Sequence, residues 1–370
     1  MPPPIEPFAL ERYFAQHEFS APYLLSPSDI EPLTLSELLA LASEQRRLQW
    51  DQLWLGYTES QGHPELLQAI SSLYRGITPE QVLTVVPEEG IYIIMRTLLQ
   101  PDDHVIVMYP GYQSLYAIAE SRGVQVSYWQ PADMWRFDVD ALLDLLQPNT
   151  RMVIVNSPHN PTGAHFNHQQ WQAVIDFART HDLYLFSDEM YRLSEHETPY
   201  QLASACEEYN KAITLSGLSK AFALPGLRVG WLVTQDHEAR RRAITYKDYT
   251  TICGSAPSEI LALMALDARE PILTRNRAIL HENMTHLSAF FAEHSELFSW
   301  VAPHAGTVTL VKYKHKNLSV TQLAEQWIEQ LGVMIVPASI FAYQGEYFRL
   351  GFGRHNLPKI LEKVSDHLTS

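Results

Sequence analysis

AITLSGLSKAFALPGLRVGWLVT, residues 212–234, sets a lysine, Lys220, and an arginine, Arg228, between two short apolar runs. The runs AITLSG (212–217) and VGWLVT (229–234) read as strands, and the loop joining them is built of small and apolar residues. An amine held in such surroundings serves as a nucleophile, and a guanidinium beside it is a natural clamp for a phosphate. Taken alone, the stretch also fits a buried loop with two snorkelling cations.

The same pattern continues toward the N-terminus. Apolar runs QVLTVV (81–86), HVIVMY (104–109), VQVSYW (124–129), RMVIVN (151–156) and LYLFSD (183–188) alternate with helical segments. Short strands separated by helices build βαβ units and a mostly parallel sheet. A helix is expected over 35–50, where Leu38, Leu39, Leu41 and Ala42 recur at helical spacing. Another is expected over 63–75, opened by Pro64 in its first turn. A long helical region leads from Ser258 to Phe291, followed by strands near 307–313 and 347–352. The fold class is therefore α/β, with a large domain at 50–255 around the sheet and a smaller α+β domain at 256–370. Residues 1–49, proline-rich and aromatic through Phe8, Tyr13, Phe14, Phe19 and Tyr23, are expected to form an arm and part of the smaller domain.

Of 370 residues, 46% are hydrophobic and 19% charged, an ordinary globular balance. The net charge of −15, from 42 acidic and 27 basic side chains, argues against nucleic acid or an anionic membrane as main partner and suits a cationic small molecule. Cys206 and Cys253 cannot make a disulfide framework, so a reducing cytoplasm is expected. MPPPIEPFAL shows no signal-peptide pattern. No stretch approaches the roughly 20 apolar residues of a membrane span, and no metal site is expected.

Polar residues gather at the C-terminal ends of the expected strands, where open α/β sheets bind ligands. Tyr109-Pro110-Gly111-Tyr112 ends one strand and Asn160-Pro161-Thr162-Gly163 follows another. Asp188 closes a third, with Tyr191 three residues on, and Lys220 follows a fourth. Each has an ordinary structural reading as turn, cap or core. Their shared location is what points to a site.

With Tyr57…Gly62, Ser219, Arg228 and Arg349, these residues resemble the signature set of fold-type-I pyridoxal-phosphate enzymes, in particular the class I/II aminotransferase superfamily. The resemblance implies that fold, pyridoxal 5′-phosphate as cofactor and an amino acid as substrate. It implies that Lys220 holds the cofactor covalently and then moves the proton at the substrate Cα. Asp188 would pair with the pyridine nitrogen and make the ring an electron sink. Asn160 and Tyr191 would bond the ring oxygen, Tyr112 stack on the ring, Arg228 hold the phosphate, and Ser219 be among the cofactor-binding residues. Arg349 would take the α-carboxylate in a bidentate pair. Tyr57 would reach the phosphate of a neighbouring subunit, implying a C2 homodimer with shared sites.

The chain also departs from that pattern. The position three before the lysine, usually a hydroxyl residue, is Gly217, and the usual small-residue turn at the phosphate is Val86-Pro87-Glu88. A Glu88 carboxylate pointed inward would repel the phosphate, whereas the backbone N–H groups of Glu88 and Glu89 would serve it. Thr250 stands where aspartate-type enzymes place a second arginine, with Lys247 near, so a second carboxylate on the substrate is not expected.

PEEGIY (87–92), YPGYQSLY (109–116), Gly217 and KDYTTIC (247–253) resemble the amino-acid-cyclising branch, the capreomycidine and enduracididine synthases of natural-product biosynthesis. That resemblance implies a cyclodehydratase. Lys220 would take the Cα proton of a hydroxylated arginine, the hydroxyl would leave as water, and a guanidine nitrogen would close the ring. Glu6, Glu11 and His17 on the arm, with Asp29 and Glu88, are the candidates for binding the side chain and supplying a proton. An aminotransferase of an aromatic, aliphatic or basic amino acid is the second reading. A non-catalytic ligand-binding relative is the third, and retention of Lys220 and Asp188 argues against it.

Overall fold

The computed structural model describes residues 3–315 and 317–369. Its strands are β1 (Tyr23–Leu24), β2 (Val82–Val85), β3 (His104–Met108), β4 (Gln125–Trp129), β5 (Thr150–Asn156), β6 (Tyr184–Asp188) and β7 (Ala212–Gly217). They continue with β8 (Gly230–Thr234), β9 (Phe298–Ser299), β10 (Val308–Tyr313), β11 (Val333–Met334), β12 (Val336–Pro337) and β13 (Tyr347–Gly351). Seven of them form the central sheet in the order β2-β8-β7-β6-β5-β3-β4. Only β8 runs antiparallel to its neighbours; the other pairings are parallel. All seven expected runs are strands, each within one residue at either end.

The reason lies in burial on both faces. Met152, Val153, Ile154 and Val155 of β5 are all at most 1% exposed, which a strand achieves only when helices cover both sides of its sheet. Each such side chain contributes about 1.5–3 kcal/mol relative to exposure. The chain passes from β3 outward to β4 and then returns to β5 on the other side of β3. Such a reversal opens a crevice at the C-terminal strand ends.

A second sheet, β12-β13-β10-β9, is antiparallel. The N-terminal arm is tied to this part of the chain, since β1 pairs in parallel with β11, Tyr23 opposite Val333. The helix expected over 35–50 is in fact two, Leu35–Leu41 and Glu44–Asp51. Ala42 and Ser43 are extended between them, and the Ser43 hydroxyl accepts from Arg46 N at 3.3 Å, capping the second helix. Apolar spacing runs on across that break, so periodicity alone did not reveal it. Pro64 opens the helix Pro64–Ser71 as expected. The long region after Ser255 is Ala256–Asp267 followed by Arg269–Glu293. Among the described residues no helix is long and apolar enough to cross a membrane.

Candidate active site

A cavity of about 460 Å³ lies at the strand ends, lined by Tyr112, Asn160, Asp188, Tyr191, Ser219, Lys220 and Arg228, with Glu88 on one wall. The sheet delivers most of these groups. Asn156 and Asp188 stand opposite each other at the ends of β5 and β6. Asn156 Nδ2 donates to the Asp188 carbonyl at 3.0 Å, and its Oδ1 accepts from Asn160 N at 2.8 Å. One asparagine side chain thus fixes the turn that carries Asn160. Asp188 Oδ1 accepts from Met190 N at 3.1 Å, and burial pushes the carboxyl up to about 7. Lys220 Nζ donates to Ser28 Oγ at 2.8 Å and sits 5.6 Å from the Tyr191 ring centre.

Gly217 has a packing explanation. It pairs with Gly230 across β7 and β8, and a Cβ there would lie 2.9 Å from Gly230 Cα and 3.0 Å from the Val229 carbonyl oxygen. A hydroxyl side chain at 217 would require the two strands to separate.

Glu88 turns into the cavity. Its Oε2 accepts from Ser114 Oγ at 3.3 Å, and burial pushes its carboxyl up to about 7 against the pull of that bond. Glu89 behaves differently: it accepts from the Thr250 and Thr251 hydroxyls, the latter at 2.8 Å, and its side chain does not line the cavity. What remains for a ligand at that helix, Pro87–Leu98, is the backbone, whose first-turn amides have no acceptor within the helix.

The other expected residues divide. Glu11 lines the cavity, as does Asp29, but Asp29 is taken up by Arg354, whose Nη2 reaches its two carboxylate oxygens at 3.0 and 3.1 Å. Glu6 is exposed and lines a different pocket of about 270 Å³. His17 lies outside the cavity, its ring 4.8 Å from Tyr13. Arg349 is fully buried beside the cavity rather than on its surface. It donates to Asn160 Oδ1 at 3.0 Å and to the Ser26 carbonyl at 2.8 Å, between the rings of Phe14 and Phe341. Tyr57 is absent from the cavity; 88% exposed, it lines an adjoining groove of about 940 Å³, to which Arg228 also contributes.

Sequence reasoning missed Ser28, Glu18 and Arg354, all of which line the cavity. They lie in irregular segments or at a helix end, where no spacing singles them out. The arm contributes Leu10, Glu11 and Phe14 to the cavity lining and is tied down on two sides: Ala9 N and the Pro7 carbonyl both bond the Gln113 side chain, and the Tyr13 hydroxyl donates to the Ile335 carbonyl at 2.8 Å.

These groups fit pyridoxal 5′-phosphate. Two buried hydroxyls of the cavity wall, Tyr191 Oη and Ser219 Oγ, have no hydrogen-bond partner among the described residues. Such groups are costly unless a ligand satisfies them. Tyr191, with the free Nδ2 of Asn160, suits the ring oxygen. Ser219, Arg228 and the helix amides suit the phosphate, Asp188 the pyridine nitrogen and Lys220 the aldehyde.

Sheet topology and site together define a fold-type-I pyridoxal-phosphate enzyme. Residues 31–364 match the model of the family described as aminotransferase class I and II. The chain belongs to that family, and pyridoxal 5′-phosphate is its cofactor. Among its relatives is the capreomycidine synthase of Streptomyces vinaceus, 28% identical over 99% of this chain and 93% of that protein. Another is an arginine–pyruvate transaminase of Pseudomonas aeruginosa, 27% identical over 80% and 77% of the two chains. Two solved structures are close. A pyridoxal-phosphate-dependent aminotransferase from Streptococcus suis superposes with TM-score 0.92 at 33% identity, covering 99% of this chain and 98% of the other. The pyridoxal-phosphate-dependent cyclase OrfR gives TM-score 0.90 at 26% identity, covering 100% and 98%.

Proposed function

We propose that this aminotransferase-like enzyme is a cyclodehydratase that converts a hydroxylated arginine into a cyclic guanidino amino acid. The observation that carries the reading is that Glu11 and Glu88 both line the cavity, where the Glu11 charge adds to the burial that raises the Glu88 carboxyl. Two carboxyl groups facing one cavity are stabilised by a guanidinium between them. The arginines that line the cavity are Arg228, kept for the phosphate, and Arg354, neutralised by Asp29. Among the described residues no arginine of the cavity is left over for a second substrate carboxylate. The likeness to a capreomycidine synthase over nearly the whole chain supports the same reading.

When bound, the cofactor supplies an electron sink for the substrate Cα. The protein does the rest. Lys220 Nζ takes the Cα proton, Arg349 draws the α-carboxylate toward its buried guanidinium, and the arm helix excludes water from the cavity. Mixing the cofactor-loaded enzyme with β- or γ-hydroxyarginine, and no keto acid, should yield a product lighter by one water. Glu11→Gln and Glu88→Gln should each raise KM for that substrate about tenfold, the loss of one charge-assisted bond. Stoichiometric pyridoxamine phosphate and keto acid would instead establish the second reading, transamination of a basic amino acid, which the arginine–pyruvate transaminase relative favours.

The same proposal includes a homodimer. Trp54, Leu55, Tyr57, Tyr249 and Ile252 are 80, 78, 88, 87 and 52% exposed, and Leu55 and Tyr57 line the groove that leads to Arg228. A second copy placed there would bring its Tyr57 to the phosphate side of this Arg228. Sedimentation equilibrium should give twice 42.3 kDa, and Leu55→Glu should yield monomers. A wild-type monomer would refute the shared site.

A further inference from the structure

Residues 26–29, Ser-Pro-Ser-Asp, form a loop that touches three cations. The Ser26 carbonyl accepts from Arg349, the Ser28 hydroxyl accepts from Lys220 Nζ at 2.8 Å, and the Asp29 carboxylate holds Arg354. The loop is laid against the end of β13 at a distance that only glycine permits. A Cβ on Gly351 would stand 1.8 Å from the Pro27 carbonyl oxygen, and one on Gly353 would stand 2.4 Å from that of Asp29. Backbone bonds lock the approach on both sides, Gly351 N to the Leu25 carbonyl at 2.7 Å and Glu31 N to the Gly353 carbonyl at 2.8 Å. Thr307 Oγ1 donates to the Ser28 carbonyl at 2.7 Å. The Ser28 hydroxyl is therefore held in place by its backbone from both sides and from below. Little about this position is adjustable.

We infer that Ser28 is a positioning residue for Lys220: its hydroxyl aims the free amine in both steps where that amine reacts. Lys220 must meet both the cofactor and, later, the substrate with an unbonded Nζ, and Ser28 Oγ is the partner that stands within 2.8 Å of it. In capture, the Nζ lone pair attacks the aldehyde carbon, the C–N bond forms, and the aldehyde oxygen departs as water with the two amine protons. In substrate turnover, the Cα–H bond breaks, its electron pair stays on the carbon side, and the proton goes to Nζ. A lysine on four rotatable bonds loses much of its productive population without a fixed partner. Ser28 supplies one from outside the segment that carries the lysine.

The inference rests on the family-level reading of the site and is indifferent to whether the enzyme cyclises or transaminates. Cofactor-free protein is mixed with pyridoxal 5′-phosphate and the growth of the protein-bound absorbance band is timed. Ser28→Ala should slow it about tenfold, the loss of one hydrogen bond to the amine. Ser28→Thr, which keeps the hydroxyl, should restore the rate to within about threefold. Binding of 4′-deoxypyridoxine phosphate, which has no aldehyde, should be the same in all three proteins. Exchange of the Cα hydrogen of arginine in deuterium oxide should follow the same order as capture. Equal capture rates in wild type and Ser28→Ala would overturn the inference. So would a slow Ser28→Thr, or an analogue affinity that falls with the capture rate, since each would reduce Ser28 to a packing role. No band in the wild type would sink the reading of the cofactor site itself.

Discussion

Lys220→Ala should abolish the protein-bound absorbance band of the cofactor and slow Cα hydrogen exchange by at least about 10⁴-fold. The size follows from losing a covalent anchor and a positioned proton carrier in one substitution. Among the described residues no other amine lines the cavity. Lys247 is also buried, yet its amine is held by the Ser60 and Ile252 carbonyls and lines the adjoining groove instead. Ser219, Arg228 and the helix amides, the groups that suit the phosphate, are untouched, so the variant should still bind the cofactor without bonding to it. Gel filtration of the mixture followed by its spectrum separates the two cases. A variant that keeps both the band and the exchange would refute the role of Lys220.

Asp188→Asn should lower the Cα exchange rate about 10²- to 10⁴-fold while leaving the shape of the site intact. Breaking a buried pair by removing one charge costs about 3–5 kcal/mol, which sets that range. The same substitution has a second signature in the cofactor-free protein. Burial raises the Asp188 carboxyl from 3.8 to about 7, and that of Glu88 from 4.5 to about 7. For an acid whose folded pKa is raised, the stabilising contribution is complete below the unfolded value and is lost as pH climbs to the folded one. The Tm of the cofactor-free protein should therefore fall between about pH 4 and 7, and Asp188→Asn should flatten the fall. Added cofactor should flatten it too, because a protonated pyridine nitrogen beside Asp188 offsets the cost of its charge. An unchanged slope in the variant would show that Asp188 is ionised in the empty cavity.

What the sequence made legible follows from which physical rule each part obeys. Strands β2, β3 and β5 to β8 were readable because burial on both faces demands nearly unbroken apolar runs, and Asn160, Asp188 and Lys220 stood out because they close or closely follow such runs. Arg349 was placed in the right strand, but no linear pattern could tell that Phe14 and Asn160 would enclose it. Ser28 left a trace only in Gly351 and Gly353, far away along the chain, whose missing side chains make room for its loop. Glu6, Glu11 and His17 shared one arm and one guess. Glu6 precedes the helix Ala9–His17, whose rotation turns Glu11 and not His17 into the cavity.

That helix carries a further consequence. Glu11 and Phe14 are three residues apart and share a face, one toward the cavity and the other over the Arg349 guanidinium. On the reading proposed above, the two ends of a bound amino acid are felt by the same turn of helix. The arm then works as a gauge of length. A substrate with its carboxylate at Arg349 and its cation at Glu11 draws both ends of that turn inward. A shorter or uncharged one satisfies a single end and leaves a gap for water, so the enzyme can sort its substrates by how well they keep the solvent out.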